Sequence, residues 1–178
     1  MHKDMESVLI TREEIARRVH ELAARLNEDY KGEDVVMVCV LKGSVNFYAD
    51  LVKELDFNAI YDFMVVSSYG AGVESTGFIN IKKDLSEDIE NKHVIIVEDI
   101  IDSGNTLFYL RTLLNERNAK SVKIATLLDK PERREKPIEP DYVGFVIPNK
   151  FVVGYGLDYD EKYRNLPEVC VLSPRIYE

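Results

Sequence analysis

The stretch Val94–Thr106, VIIVEDIIDSGNT, decides the fold class of this chain. Its first four residues form an apolar run of strand length, which is typical of a strand buried inside a sheet. Leu107, Leu110 and Leu114 then recur at helical spacing, so we expect a helix to follow. A buried strand that leads into a helix is the basic unit of a parallel α/β sheet.

The alternation of strands and helices continues on both sides of this stretch. Thr11–Glu14 fits a capping box, which predicts the start of an amphipathic helix. Spaced apolar residues from Val45 to Leu55 predict a second helix. Further strands are expected over residues 35–41, 59–66, 78–81 and 122–128. Because such strands need crossover connections, we predict an α/β fold with a central, mainly parallel sheet flanked by helices.

The region after Lys130 has a different character. It holds prolines, short apolar pieces and several tyrosines, which indicate short strands and loops that form a small hood over the sheet. Residues 169–172 are expected to form the last strand. We predict one domain over residues 1–178, with a core at roughly 30–130. The hood would come mainly from 131–178, with help from the N-terminus.

Composition narrows the class of function. The 178 residues are 46% hydrophobic and 31% charged, which is typical of a globular protein. The net charge is −9 and there is no basic tract, so nucleic acid is not an expected partner. No apolar run approaches the ~18 residues of a membrane span. Both cysteines, Cys39 and Cys170, lie in apolar runs, as expected in a reducing compartment. We therefore expect a cytoplasmic enzyme or small-molecule binder.

The end of the predicted strand carries the chemistry. The backbone amides of Ser103–Thr106 would lie at a helix N-terminus, where they form a nest for a phosphate. Glu98 and Asp99 directly follow the predicted strand and would repel an anion unless sugar hydroxyls or Mg²⁺ lie between. The pattern thus indicates a sugar phosphate. Helix capping would explain Asp102 taken alone, but it explains the three acids and the Ser-Gly-x-Thr sequence together poorly.

Several motifs, in this order, resemble the type I phosphoribosyltransferases, and most closely their purine-salvage branch, the hypoxanthine (or hypoxanthine-guanine) phosphoribosyltransferases. The motifs are Val40–Gly43 (VLKG), Ser68–Tyr69, Val97–Thr106 (VEDIIDSGNT), Leu128–Lys130 (LDK) and Phe151–Asp158 (FVVGYGLD). The similarity extends over nearly the whole chain and implies the type I phosphoribosyltransferase fold.

The resemblance implies how the sugar phosphate is bound. Glu98 and Asp99 would hold the ribose hydroxyls of phosphoribosyl pyrophosphate (PRPP) and its metal. The 5′-phosphate loop would be Asp102, Ser103, Gly104, Asn105 and Thr106. Pyrophosphate would be bound by Lys42, Gly43 and Arg164. Mg²⁺ is the implied cofactor, with Glu98, Asp99 and Asp158 as its protein ligands.

The resemblance also implies a purine site. Asp102 would lie near purine N7 as the general acid/base. The base would be bound by Lys130, Phe151, Val152 and Asp158, with Lys130 donating to the exocyclic O6 and Phe151 stacking on the ring. An ammonium donor favours a carbonyl oxygen and rejects the amino group of adenine. Ser68 and Tyr69 would begin a flexible loop that closes over the site.

The implied reaction joins hypoxanthine, and also guanine, to PRPP, giving IMP or GMP plus pyrophosphate. Relatives assemble as homodimers or homotetramers, and we expect the same here. Two alternatives stay open: a non-catalytic PRPP or nucleotide sensor of the same fold, and a transferase that prefers xanthine or guanine. An adenine or orotate transferase fits less well, because of Lys130 and the 151–158 block.

Overall fold

The computed structural model of the chain describes residues 2–68 and 79–177. In chain order the elements are β1 (Met5–Ile10), α1 (Arg12–Asp29), β2 (Asp34–Leu41), α2 (Val45–Val52), β3 (Asn58–Ser68), β4 (Ile79–Lys83), β5 (His93–Ile101), α3 (Asn105–Glu116), β6 (Ser121–Asp129), β7 (Tyr142–Val146), β8 (Val152–Val153) and β9 (Val169–Leu172), with 3₁₀ turns at Pro131–Arg133 and Pro174–Ile176.

Six strands form the central sheet in the order β4-β3-β2-β5-β6-β7. All neighbouring pairs from β3 to β7 are parallel, and β4 joins the edge antiparallel to β3. This confirms the predicted α/β class with a mainly parallel sheet. The capping box is also present, since Thr11 Oγ1 accepts from Glu14 N and the Glu14 carboxylate accepts from Thr11 N.

Helices cover the sheet on both faces, which explains the continuous apolar strands. On β2, Val35, Met37 and Cys39 belong to the cluster that includes α1 and α2. The alternate residues Val36 and Val38 belong to the cluster that includes α3. Neighbouring side chains of a strand point to opposite faces, so both sets are buried. No helix within residues 2–68 and 79–177 is long and apolar enough to cross a membrane.

Strand β5 is longer than the apolar run predicted. It continues to Ile101 instead of ending at Val97, so Glu98 and Asp99 lie within the strand and not after it. Pairing with β2 stops at Cys39↔Val97, whereas pairing with β6 continues to Ile101↔Asp129. The last four residues of β5 therefore have a strand on one side only, and the other side is open to a ligand.

A second sheet is formed by β1, β9 and β8, all antiparallel. It has its own small core, which includes Met5, Val153, Cys170 and Leu172. The central sheet extends past residue 130, the expected end of the core, because β7 pairs with β6. Tyr69 and most of the predicted loop lie outside the described residues, and Ser68 is the last residue of β3.

Candidate active site

A cavity of about 280 Å³ opens at the carboxyl ends of β2 and β5. Its wall includes the end of β2, Gly43 and every residue from Glu98 to Leu107. This end of a parallel sheet is where open α/β folds bind their ligands. The residues predicted to hold ribose and the 5′-phosphate thus surround a single cavity.

Two neighbouring acids, the buried Glu98 and the partly buried Asp99, lie at one side of this cavity. Glu98 is only 8% exposed, and burial together with the neighbouring Asp99 carboxylate raises the pKa of Glu98 well above its ordinary value. Burial also raises the pKa of Asp99. Asp99 Oδ1 accepts a hydrogen bond of 2.7 Å from Ile100 N. Hydroxyl donors or a cation would stabilise the charged form of such a pair.

The predicted phosphate loop stands at the start of α3. Gly104 is the N-cap, with a φ of 82°, and no side chain caps the helix. Asp102 therefore does not cap α3, which removes the capping explanation for this residue. The uncapped amides at this helix start are the donors that a phosphate oxygen requires.

The loop is supported by the segment that follows β6. Ser103 O accepts hydrogen bonds from Glu135 N (2.9 Å) and Lys136 N (3.2 Å). Arg134 Nη1 donates to Asp102 O at 3.0 Å, and its Nη2 pairs with the buried Asp129. A Cβ on Gly104 would lie 2.6 Å from Ile138 Cγ2, so this close packing requires glycine.

The residues predicted for pyrophosphate lie together around Glu161. Lys42 Nζ is 2.8 Å from Glu161 Oε2, and Arg164 Nη2 is 3.2 Å from Glu161 Oε1. Gly43 directly follows Lys42 and also lies close to the acid pair, since an added Cβ would be 1.8 Å from Asp99 Oδ2. The Leu41–Lys42 peptide bond is cis.

Asp158 belongs to this same group. Its Oδ1 lies 3.0 Å from Arg164 Nη2, and its Oδ2 accepts from Glu161 N at 2.9 Å. Among residues 2–68 and 79–177, no three His, Cys, Asp or Glu side chains cluster tightly enough to hold a metal ion alone. Glu98 and Asp99 form one carboxylate pair, and Asp158 is separate from it.

A second cavity, of about 430 Å³, is lined by three of the four predicted purine residues, whereas the fourth, Asp158, does not line it. Lys130, Phe151 and Val152 all line it, together with Leu157 and Tyr177. Lys130 is only 7% exposed, and burial lowers the pKa of its amine. A solvated surface lysine, the ordinary alternative for this residue, is therefore excluded. Phe151 is 40% exposed, which leaves ring surface available for stacking.

Ile100 and Asp102 line both cavities. Asp102 Oδ1 is buried, accepts no hydrogen bond and lies 2.8 Å from Arg133 Nε. The Asp102 carboxylate, which is ion-paired with Arg133, thus stands where the sugar-phosphate cavity meets the base cavity. This is the place at which a bond between a base and a sugar would form.

Two functional candidates were missed by the sequence analysis. Arg134 supports the phosphate loop by donating a hydrogen bond to Asp102 O. Glu161 forms ion pairs with both cations that were predicted to bind pyrophosphate. The only signal for Arg134 was the charged run Glu132–Lys136 after Lys130. Nothing in the sequence distinguished Glu161 from the other acids of the acidic stretch Asp158–Glu161.

Comparison with known proteins agrees with the family resemblance of the sequence motifs. A family model described as phosphoribosyl transferase domain matches residues 9–160. The hypoxanthine-guanine phosphoribosyltransferase of Streptococcus thermophilus is 53% identical over 99% of this chain and 98% of its own length. The corresponding Staphylococcus aureus protein is 52% identical, with 99% of each chain covered.

The fold agrees equally well with solved structures. A crystal structure of a Staphylococcus aureus hypoxanthine phosphoribosyltransferase superposes with a TM-score of 0.97 at 52% identity, and 100% of this chain and 97% of the other are covered. This likeness confirms the fold that the sequence motifs implied. The chain belongs to the phosphoribosyltransferase family.

Proposed function

We propose that this protein is the purine-salvage enzyme that joins hypoxanthine, and also guanine, to PRPP, releasing IMP or GMP and pyrophosphate. The observation that carries the proposal is the meeting of two cavities at Asp102, one lined by the phosphate loop and one by Lys130 and Phe151. A protein that bound only PRPP would need the first cavity alone.

In the proposed reaction, N9 of the base attacks C1′ of the ribose. The N9–C1′ bond forms, the bond from C1′ to the pyrophosphate oxygen breaks, and pyrophosphate leaves with the bonding electrons. Asp102 takes the proton from the imidazole half of the base, which makes N9 a better nucleophile. Its position in the lining of both cavities supports this role.

Recognition of the base is assigned to the second cavity. Lys130 donates to O6, and Phe151 stacks on the purine face while Val152 contacts the base edge. A buried ammonium group has few alternative partners, so a base with a carbonyl at this position is strongly favoured over adenine.

Mg²⁺ is the proposed cofactor. Carboxylate oxygens are the ligands that this ion prefers, and it keeps other ligands from water and substrate phosphates. Glu98 and Asp99 would hold it beside the ribose, and Asp158 would contact a second ion beside the pyrophosphate. The ion would neutralise the charge of the leaving group. The two acids, whose charged forms are disfavoured without a cation, fit this use.

The family resemblance and the composition of the chain support a proposal for its oligomeric state and its cellular location. We propose a homodimer or homotetramer in the cytoplasm. Ser68 and Tyr69 are proposed to begin the loop that closes over the site during the reaction.

A base panel tests the proposed function. Purified protein is mixed with PRPP, Mg²⁺ and hypoxanthine, guanine, xanthine or adenine, and pyrophosphate release and nucleotide formation are measured. We expect IMP and GMP, with no product from adenine. Activity with xanthine or guanine alone would support the alternative, a transferase that prefers one of these two bases. No pyrophosphate with any oxopurine would overturn the assignment and leave the sensor alternative.

A further inference from the structure

Tyr177 is held over the base cavity by a well-anchored backbone. It follows the 3₁₀ turn Pro174–Ile176, and its N–H donates to Pro174 O at 3.1 Å. Ser173 N donates to Asp4 O at 2.9 Å, and Ile176 packs against the core of the small sheet. The backbone that carries the Tyr177 ring is therefore anchored to the small sheet.

The Tyr177 ring stacks on Phe151. The two ring centroids are 5.0 Å apart and the planes differ by 25°. Tyr159 meets Phe151 edge-on, with centroids 5.6 Å apart and an interplanar angle of 85°. These distances lie within the range in which aromatic pairs attract each other beyond simple burial. The three rings form a cluster in which Phe151 has a preferred orientation.

This cluster stands at the wall of the base cavity and not in the core. Phe151 is 40% exposed and Tyr177 38% exposed, and both line the cavity together with Lys130 and Asp102. Two neighbouring aromatic rings that stay half in water, beside polar groups aimed at a ligand, are typical of a binding site for a flat molecule.

The stack fixes the orientation of the Phe151 side chain, which the backbone of this residue does not do. Phe151 directly precedes β8, and its carbonyl oxygen accepts from Leu172 N at 2.9 Å, so the main chain is fixed. The side chain is half exposed, and without Tyr177 it would sample other rotamers. Fixing a side chain before the ligand arrives lowers the entropy cost of binding.

We propose that Tyr177 is a positioning residue of the purine site, which holds the Phe151 ring in the orientation that stacks on the base. This inference rests on the proposed function, because it takes the second cavity as the base site. It adds a residue outside the recognised motifs and explains why the chain folds back over the cavity after β9.

Steady-state kinetics of Tyr177→Ala and Tyr177→Phe test the proposal. For Tyr177→Ala we expect the KM for hypoxanthine to rise about three- to tenfold, the worth of one aromatic pair, with kcat and the KM for PRPP nearly unchanged. Tyr177→Phe keeps the ring and should restore the wild-type KM. An unchanged or lowered KM in Tyr177→Ala would overturn the proposal, since a lowered KM would mean that the ring obstructs the base.

A double-mutant cycle tests whether Tyr177 acts through Phe151. In a Phe151→Leu background, Tyr177→Ala should change the hypoxanthine KM by less than about twofold, because the stack is already lost. An undiminished effect there would contradict the positioning role. Phe108→Ala is the matched control, because Phe108 has a similar exposure of 39% but lies on α3 away from the base cavity. It should leave the KM unchanged.

Binding of IMP, measured by calorimetry, separates this inference from the proposed function. If the wild type binds IMP but turns over no purine, the proposed function fails, and weaker IMP binding by Tyr177→Ala still supports the inference. Equal IMP binding by the two proteins overturns the inference alone. Absence of IMP binding by the wild type overturns both.

Discussion

At the scale of single residues, Asp102 carries the proposed chemistry. It lines both cavities, and its Oδ1 lies 2.8 Å from Arg133 Nε. Asp102→Asn keeps the shape but removes the base, so we expect kcat to fall by about 10²- to 10⁴-fold. The KM for PRPP should change little, because the phosphate loop binds through backbone amides. Full turnover in this variant would remove the assigned role.

Lys130 is proposed to decide which base is accepted. Lys130→Met preserves length and burial but removes the donor to O6. Hydrogen bonds to charged groups are strong, so the KM for hypoxanthine should rise about 10- to 100-fold. The preference for hypoxanthine over adenine should shrink, as measured by kcat/KM for each base. An unchanged ratio would show that Lys130 does not contact the 6-position.

Glu161 forms ion pairs with the two cationic side chains that are assigned to pyrophosphate. Lys42 and Arg164 both pair with it, and these pairs lower the pKa of its carboxyl. Pyrophosphate has to displace this carboxylate, so Glu161→Gln should tighten pyrophosphate binding about two- to fivefold, as expected for exposed ion pairs.

Asp160→Asn is the matched control for this prediction. Asp160 is a neighbouring exposed acid that pairs with Lys162 and does not contact the two cations. Product inhibition by pyrophosphate, measured in all three proteins, should change only for Glu161→Gln. Equal inhibition constants would contradict the proposed competition between Glu161 and pyrophosphate for Lys42 and Arg164.

At the scale of the elements, the turn after β2 is built around Gly43. A Cβ there would lie 1.8 Å from Asp99 Oδ2, so the Asp99 carboxylate can keep its position only when residue 43 has no side chain. Gly43→Ala should displace Asp99 and raise the KM for PRPP by at least about tenfold. Initial rates at varied PRPP measure this effect.

Gly32→Ala provides the control for Gly43→Ala. Gly32 has a positive φ of 77°, but nothing lies within 4 Å of an added Cβ. It should lower the free energy of unfolding by about 1 kcal/mol through backbone strain and leave the KM for PRPP unchanged. Similar KM values for both variants would mean that Gly43 does not support the acid pair.

Elements with a strong local pattern could be predicted from the sequence. The Thr11–Glu14 box, the buried strand β2 and the helix α3 all have their signals within a few neighbouring residues. The end of β5 could not be predicted, because the acids Glu98 and Asp99 interrupt its apolar run and its last four residues are held by pairing with β6. For the same reason β7, a short strand in a proline-rich region, was not expected in the central sheet.

The candidate site divides in the same way. Residues inside contiguous motifs, such as the phosphate loop, could be identified together with their surroundings. Arg134 and Glu161 could not, because their contacts join segments far apart in the chain. The burial of Lys130 depends on the cavity formed with residues 149–152 and is also invisible in the sequence.

At the scale of the whole molecule, the acid pair links stability to pH. Because the pKa of Glu98 is higher in the folded state than in the unfolded chain, the folded protein binds the proton more tightly. The free energy of unfolding contributed by this group therefore falls as the pH rises above about 4.5, up to the raised folded value. Asp99 contributes with the same sign.

Glu98→Gln removes this contribution. In the absence of Mg²⁺ and PRPP we expect its melting temperature at pH 7.5 to exceed that of the wild type, with a smaller decline between pH 5.5 and 7.5. Thermal unfolding by circular dichroism measures both. Glu28→Gln, which removes an exposed carboxylate, should not change the pH dependence. If the melting temperature of Glu98→Gln fell with pH as steeply as that of the wild type, the proposed link between this acid pair and stability would be contradicted.

The most direct test of the account is a crystal structure of the protein with IMP. We predict the phosphoryl oxygens within hydrogen-bond distance of the amides of Ser103–Thr106, the ribose hydroxyls at Glu98 and Asp99, and the base against Phe151 with O6 at Lys130. A nucleotide found with its phosphate at any other place, or with its base outside the second cavity, would contradict it.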